Sequence, residues 1–399
     1  AHEHLEPFVS DEHEQSLVLG AGRIGACIAK ALASSGRYDV TIGDKFSGAL
    51  KGLKGIADLK TAVVDVEDKA ELLKAMKGQQ AVLSACSFHQ NRLIAECALK
   101  AGLSYFDLTE DVETTRHIRQ LAHKARAGQI FMPQCGLAPG FISILGNDVA
   151  QKFDELHSLR LRVGALPEFP SNQMMYNLTW STDGLINEYC NPCEAIRGGK
   201  ALEVLPLEGL ETFSLDGLEY EAFNTSGGLG SLCETWHKRV RELNYKTIRY
   251  PGHCYLMHFL INELRLGEVG ERRAMLKQIF ESSVAGTHQD IVLILVVGSG
   301  IIDGKLMNET ELRKVYHGEV LGENWSAIQK TTALSAAVVV DLHFDGMLAD
   351  KGFVRQEEVA LAKFMNSPFS AVFRPQPHNG AGLSVVGGES LTRAAGGAA

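Results

Sequence analysis

Gly20-Ala21-Gly22-Arg23-Ile24-Gly25, preceded by Ser16-Leu17-Val18-Leu19 and followed by Ala26-Cys27-Ile28-Ala29, decides the reading of the N-terminal half. The spacing is G-x-G-x-x-G between an apolar strand and an apolar helix, where each glycine has its own task. Gly20 permits a tight turn, Gly22 lets backbone approach a pyrophosphate, and Gly25 lets helix and strand pack closely. The amides of Arg23 and Ile24 open the helix and offer partial positive charge to an anion. Asp44 follows at the end of the next apolar run, nineteen residues beyond Gly25. An acid there accepts bonds from ribose hydroxyls and repels a 2′-phosphate, so the expected cofactor is NAD, with Lys45 as the one neighbour that could soften the choice.

Outward from this turn, residues 16–132 alternate short apolar runs with helical patterns, as successive βα units of a parallel sheet do. Strands are expected at Ser16–Gly20, Val40–Gly43, Thr61–Val64, Ala81–Ser84, Ser104–Asp107 and Gln129–Met132. The fold class is therefore α/β: a Rossmann doubly wound parallel sheet over residues 16–136. After Pro139-Gly140 the pattern changes. Leu159, Leu161 and Val163 alternate with polar residues, so this strand is expected to have one solvated face; further strands are expected near 219–223, 245–249 and 291–297, and Gly298–Gly304 reads as a hairpin turn. This predicts a substrate domain over 137–365, α+β with a mixed sheet, from which the apolar helix 326–346 could return to the first domain. Residues 1–15 are expected to be a disordered or added segment, and 379–399, rich in Gly, Ala and Ser, a flexible tail.

Composition narrows the function classes. The formal charge of −9 argues against nucleic acid or an anionic membrane as partner. The strongest candidate span, Thr331–Val340, has ten uncharged residues where a membrane crossing needs about 20. Eight scattered cysteines form no disulfide framework, and Cys190-Asn191-Pro192-Cys193 lacks a second pair, so no metal site is expected. The acidic first fifteen residues have no apolar core, and a cytoplasmic enzyme with reduced thiols is expected, homo-oligomeric by default.

Ligands of doubly wound sheets bind beyond the carboxyl ends of the strands. Asp65 after the third strand, Ser84 and Ala85 after the fourth, Asp107 after the fifth and Pro139 after the sixth are thus expected around the cofactor.

Three further segments extend the reading beyond the Rossmann half: Gln134-Cys135-Gly136-Leu137-Ala138-Pro139-Gly140, Phe223-Asn224-Thr225-Ser226-Gly227-Gly228, and Tyr245-Lys246-Thr247-Ile248-Arg249-Tyr250-Pro251-Gly252-His253. Together with the glycine turn they resemble the saccharopine dehydrogenase-like family, and within it the lysine 6-dehydrogenase branch, over about Ser16–Leu348. The resemblance implies NAD-linked oxidation at a carbon bearing nitrogen. For that branch it implies oxidative deamination of the ε-amine of L-lysine; a saccharopine-type reaction on a secondary amine and a non-catalytic NAD-binding role are the alternatives.

Such chemistry needs a neutral amine, although the free ε-amine has a pKa of about 10.4. A base beside an apolar pocket would lower that cost. His253, Asp107 and His89 are the candidates, in that order. The α-carboxylate of an amino-acid substrate calls for a guanidinium, and Arg249 is the candidate, with Thr225 and Ser226 adding donors. Tyr176 and Trp180 are candidate pocket walls, and Cys135 a lining residue. Asp183 and Glu188 are available to an α-ammonium group.

Overall fold

The computed structural model describes residues 13–375. Its first sheet contains β1 (Glu14–Leu19), β2 (Tyr38–Asp44), β3 (Leu59–Val63), β4 (Ala81–Ser84), β5 (Ser104–Asp107) and β6 (Ile130–Met132). The order across the sheet is Gly352–Phe353, β6, β5, β4, β1, β2, β3, with every neighbour parallel. Helices α1 (Arg23–Ser34), α2 (Lys69–Met76), α3 (Phe88–Ala101) and α4 (Val112–Ala122) make the crossovers. The alternation of β1 shows why both faces are covered. Val18 packs into the core shared with α1, whereas Leu17 and Leu19 enter the core shared with α3. Strand order reverses between β1 and β4, which opens a crevice beyond their carboxyl ends.

The first strand begins earlier than expected. Glu14 and Gln15, assigned by sequence to the segment before the fold, pair with Tyr38 and Asp39. Residues 1–12 and the expected tail lie outside the described residues.

The second domain follows as α5 (Phe141–Ala150), β7 (Glu155–Pro167), α6 (Thr182–Cys190), β8 (Cys193–Arg197), β9 (Lys200–Val204), β10 (Glu211–Leu215), β11 (Leu218–Asn224), β12 (Glu242–Arg249), α7 (His253–His258), α8 (Glu271–Ser283), β13 (Asp290–Ile302) and β14 (Lys305–Tyr316). Its main sheet runs β10-β11-β12-β7-β13-β14, parallel between β12 and β7 and antiparallel elsewhere. Two sequence expectations fail here. Strand β13 continues through Gly298 and Gly300 and turns only at Asp303-Gly304, because these glycines answer close packing within the strand. A Cβ on Gly298 would lie 2.6 Å from the Phe153 ring, and one on Gly300 would lie 2.2 Å from the Glu155 carbonyl oxygen. The polar residues of β7 are not all solvated either: Arg162 is buried and paired with Glu211.

Helix α9 (Ala327–Phe344) starts with a capping box between Ser326 and Gln329, and the Asp290 carboxylate accepts the Ala327 and Ile328 amides at 2.5 and 3.1 Å. It packs along α1, where Asp341 accepts bonds from the Tyr38 hydroxyl at 2.8 Å and from Arg37 at 3.0 Å. Among the described residues no helix is long and apolar enough to cross a membrane.

Candidate active site

The glycine turn is built as its spacing requires. Gly20 has a φ of +95°, in the region that favours glycine, and a Cβ on Gly25 would sit 1.8 Å from the Gly20 carbonyl oxygen. A Cβ on Gly22 would meet nothing within 4 Å, so the N-terminus of α1 faces open space. Asp44 closes the turn from the side: its carboxylate accepts the Ala21 amide at 2.7 Å and the Phe46 amide at 2.8 Å. This cradle suits a dinucleotide pyrophosphate on the α1 amides, and the lone pairs left on Asp44 suit a ribose. Lys45 and Asp65 pair with each other at 2.8 Å at the ends of β2 and β3. Each has a partner, and, like Asp44, neither lines the cavity beside the glycine turn.

That cavity holds about 600 Å³ and lies between the two domains. The first domain supplies Gly22, Arg23, Ile24, Ala85 and the 108–110 loop, and Pro139 caps the junction. The second supplies one face of its sheet. Side chains two apart in a strand share a face, so Val163 and Ala165 on β7 stand beside Tyr245, Thr247 and Arg249 on β12. Leu178–Gly184 and Glu188, at the start and on the inner side of α6, complete the wall. The volume falls in the usual range for small-molecule sites.

Arg249 is the fixed cation of this wall. Although it is only 2% exposed, its Nε donates to the Tyr189 hydroxyl at 2.9 Å, and its Nη1 donates to Thr247 Oγ1 at 3.0 Å and the Ile248 carbonyl at 2.8 Å. The Tyr176 ring stacks against the guanidinium, 5.0 Å from its carbon. Nη2 has no hydrogen-bond partner among the described residues, and the side chain lines the cavity. Arg249, the arginine expected for a carboxylate, thus lines this cavity, with Nη2 unbonded among the described residues.

His253 does not serve as the base expected from sequence. It is buried outside the cavity, with Nε2 2.9 Å from the Tyr189 hydroxyl and Nδ1 2.8 Å from the Met174 carbonyl. Burial, with the Arg249 charge adding, pushes its pKa down to about 3, so the ring is neutral near pH 7. Asp107 is likewise buried away from the cavity. Its carboxylate accepts the Thr109 and Gln134 amides at 3.0 Å each and the Tyr105 hydroxyl at 2.8 Å, and burial raises its pKa to about 6. It ties the 107–111 loop to the start of the 134–140 turn. His89 sits exposed against Phe88, in a separate shallow depression.

Of the acids that line the cavity, Glu110, Asp183, Glu188 and Glu281, burial moves the pKa of two toward neutrality: Glu110 and Glu188. Burial pushes the Glu188 carboxyl up to about 8, with Arg249 opposing and Glu110 adding. Burial also pushes Glu110 up to about 7, with the nearby Asp111 adding. Buried carboxyls poised near neutrality are the state a general base requires. Sequence reasoning passed over Glu110, three residues beyond the Asp107 expected at the cofactor. It assigned Glu188 only to an α-ammonium; the available signal was the acid's place on the apolar face of α6 beside Leu185 and Tyr189.

Several other expected ligands have different duties. Thr225 and Ser226 line a smaller recess on the far side of their turn. From there the Ser226 amide donates to the Glu188 carbonyl at 2.9 Å, and a Cβ on Gly227 would come within 2.7 Å of the Glu110 carbonyl oxygen. The Thr-Ser-Gly-Gly turn therefore backs both glutamates. Tyr176 braces Arg249 behind the wall, and Trp180 forms the wall itself. Cys135 is fully buried, donating to the Met132 carbonyl at 3.0 Å and accepting from Gln356 at 3.3 Å. The Ser84 hydroxyl bonds Asn91 at 2.7 Å, so at the β4 end Ala85 meets the cavity and Ser84 does not.

A doubly wound dinucleotide cradle facing a mixed-sheet domain across a cleft with one buried arginine and two high-pKa glutamates defines a two-domain dehydrogenase architecture. Comparison with known proteins names the group. Residues 16–132 match the saccharopine dehydrogenase NADP binding domain, and residues 136–371 match the saccharopine dehydrogenase C-terminal domain. The chain belongs to the saccharopine dehydrogenase family, and its N-terminal sheet is a nicotinamide-dinucleotide-binding domain. It is 24% identical over 271 residues to the saccharopine dehydrogenase [NADP(+), L-glutamate-forming] of Schizosaccharomyces pombe, an alignment covering 64% of this chain and 59% of that protein. It is 21% identical over 195 residues to the mitochondrial alpha-aminoadipic semialdehyde synthase of Rattus norvegicus, covering 47% of this chain and 21% of the relative. The chain thus spans between a fifth and three fifths of these relatives. The apo saccharopine dehydrogenase (L-Glu forming) structure from Saccharomyces cerevisiae has the same fold, with a TM-score of 0.71 at 16% identity over 88% of this chain and 96% of that one.

Proposed function

We propose that the protein is an NAD-dependent dehydrogenase that oxidatively deaminates the ε-amine of L-lysine. The observation that carries this reading is the set of ionisable groups on the cavity wall. Four acids, Glu110, Asp183, Glu188 and Glu281, line it against two cations, Arg23 and Arg249. Even with Asp183 paired to Lys277 at 2.7 Å, acids outnumber cations. Burial keeps Glu110 and Glu188 largely protonated near pH 7 until an ammonium group arrives and favours their ionised form. Such a wall therefore suits a substrate with two amines and one carboxylate, whereas a tricarboxylate such as saccharopine would want more cations.

Arg249 holds the substrate carboxylate through Nη2. Glu188, with Glu110 beside it, takes the proton of the ε-ammonium onto a carboxylate oxygen, leaving a neutral amine whose lone pair drives hydride from Cε. Bound nicotinamide would supply the hydride acceptor, and the substrate iminium left behind adds water at Cε and releases ammonia as the aldehyde forms. The arriving ammonium also lowers the glutamates' pKa values, so the ionised base is best stabilised when substrate is present. For the cofactor, Asp44 supports NAD: a 2′-phosphate would meet its charge, and Lys45, the nearest cation, is already engaged by Asp65.

The test is reduction of NAD or NADP by a panel of L-lysine, ornithine, saccharopine and carboxynorspermidine, followed by absorbance. The reading requires turnover with lysine and NAD; turnover confined to saccharopine with NADP refutes it.

A further inference from the structure

Behind Arg249 runs a chain of bonds whose polarity is forced from both ends. A guanidinium donates only, so the Tyr189 oxygen must accept from Arg249 Nε at 2.9 Å. A backbone carbonyl accepts only, so His253 Nδ1 must carry the proton facing Met174 at 2.8 Å. Since the ring is neutral, Nε2 is then an acceptor, and the Tyr189 hydroxyl donates to it at 2.9 Å. This tautomer is assigned from the network. Every hydrogen has one place. The chain is anchored in turn by Glu221, which accepts the Gly252 amide at 2.9 Å and the Cys254 amide at 2.6 Å and so fixes the first turn of α7 carrying His253.

With Nε given to Tyr189 and both Nη1 hydrogens given to Thr247 and Ile248, neither two-nitrogen edge of the guanidinium is free for a carboxylate. Only Nη2 remains, at the cavity. We infer that Tyr189 and His253 are positioning residues which hold Arg249 so that Nη2 alone meets the substrate, and that this relay sets selectivity for amines bearing one carboxylate. The inference rests on the proposed amino-acid substrate. Tyr189 and His253 lie in the second domain outside the cavity lining, so NADH affinity serves as a separate readout.

The test compares L-lysine with cadaverine, the same diamine without its carboxylate, by calorimetric Kd on protein saturated with NADH, where no oxidation occurs. The variants are Tyr189→Phe and His253→Leu, which break the relay, and His253→Gln, whose amide can donate to Met174 and accept from Tyr189. The wild type is expected to prefer lysine. Tyr189→Phe and His253→Leu should weaken lysine binding tenfold or more, leave cadaverine within about twofold, and keep NADH affinity unchanged, whereas His253→Gln should recover much of the preference. A merely structural role would weaken both amines or NADH. Lysine preference retained in Tyr189→Phe and His253→Leu overturns the relay while leaving the substrate reading intact. A wild type that binds cadaverine as well as lysine, or neither, refutes the carboxylate reading and the relay with it.

Discussion

The Asp44 carboxylate accepts the Ala21 amide at 2.7 Å, so the acid proposed to meet the ribose also braces the glycine turn. From sequence alone, its removal would be expected only to relax the choice between NAD and NADP. The brace changes that expectation. Asp44→Ala should weaken both cofactors, by about tenfold or more, since a charge-assisted bond contributes roughly 1.5–3 kcal/mol. Asp44→Asn, which keeps an acceptor, should lose less. Fluorescence titration with NADH and NADPH checks this; a gain in NADPH affinity with Asp44→Ala would show that the turn holds without its brace.

The two glutamates predict a pH limb. The base is the ionised carboxylate, and burial raises the pKa of Glu110 to about 7 and of Glu188 to about 8. Activity should therefore rise with pH across that range in kcat/KM for lysine. Glu188→Gln should cut kcat by about 10²–10⁴-fold, the usual contribution of a positioned base, and flatten the limb. An unshifted limb in Glu188→Gln would move the role to Glu110.

The same burial should be visible in stability, with a definite sign. The folded pKa of Glu188 lies above the unfolded value of roughly 4.3, so its favourable contribution is complete below the latter and is lost as pH rises through about 8. Glu188→Gln should therefore melt several degrees above wild type at pH 8.5, and the gap should close by pH 4.5. A gap of equal size at both pH values would show that Glu188 is not strained by ionisation.

Much of this was legible in the residues because local rules wrote it. Period-two strands, helical runs and the Gly20–Asp44 spacing follow from neighbours in sequence, and Arg249 stood in a family-like segment. The role of His253 was not legible. Its partners Tyr189 and Met174 lie 64 and 79 positions away, and only the folded chain shows that they occupy both ring nitrogens. Glu188 read only as a partner for an α-ammonium, because nothing local to α6 reveals that the fold buries it. Gly298 and Gly300 looked like a turn because a glycine demanded by close packing reads the same as one demanded by chain reversal.

Gly140 is required twice over. Its φ is +133°, and a Cβ there would lie 1.9 Å from the Gly136 carbonyl oxygen. Gly140→Ala should cost about 2–4 kcal/mol of unfolding free energy or more, and displace Pro139 from the cleft. Chemical denaturation measures the first; a loss below about 0.5 kcal/mol would mean the 136–140 turn relaxes freely.

The central claim, deamination of lysine, is tested most directly by the ratio of ammonia to NADH formed from L-lysine and NAD. The account predicts one ammonia per NADH, with Arg249→Ala raising KM for lysine far more than it lowers kcat. NADH formed from saccharopine with no ammonia, and none formed from lysine, would contradict it.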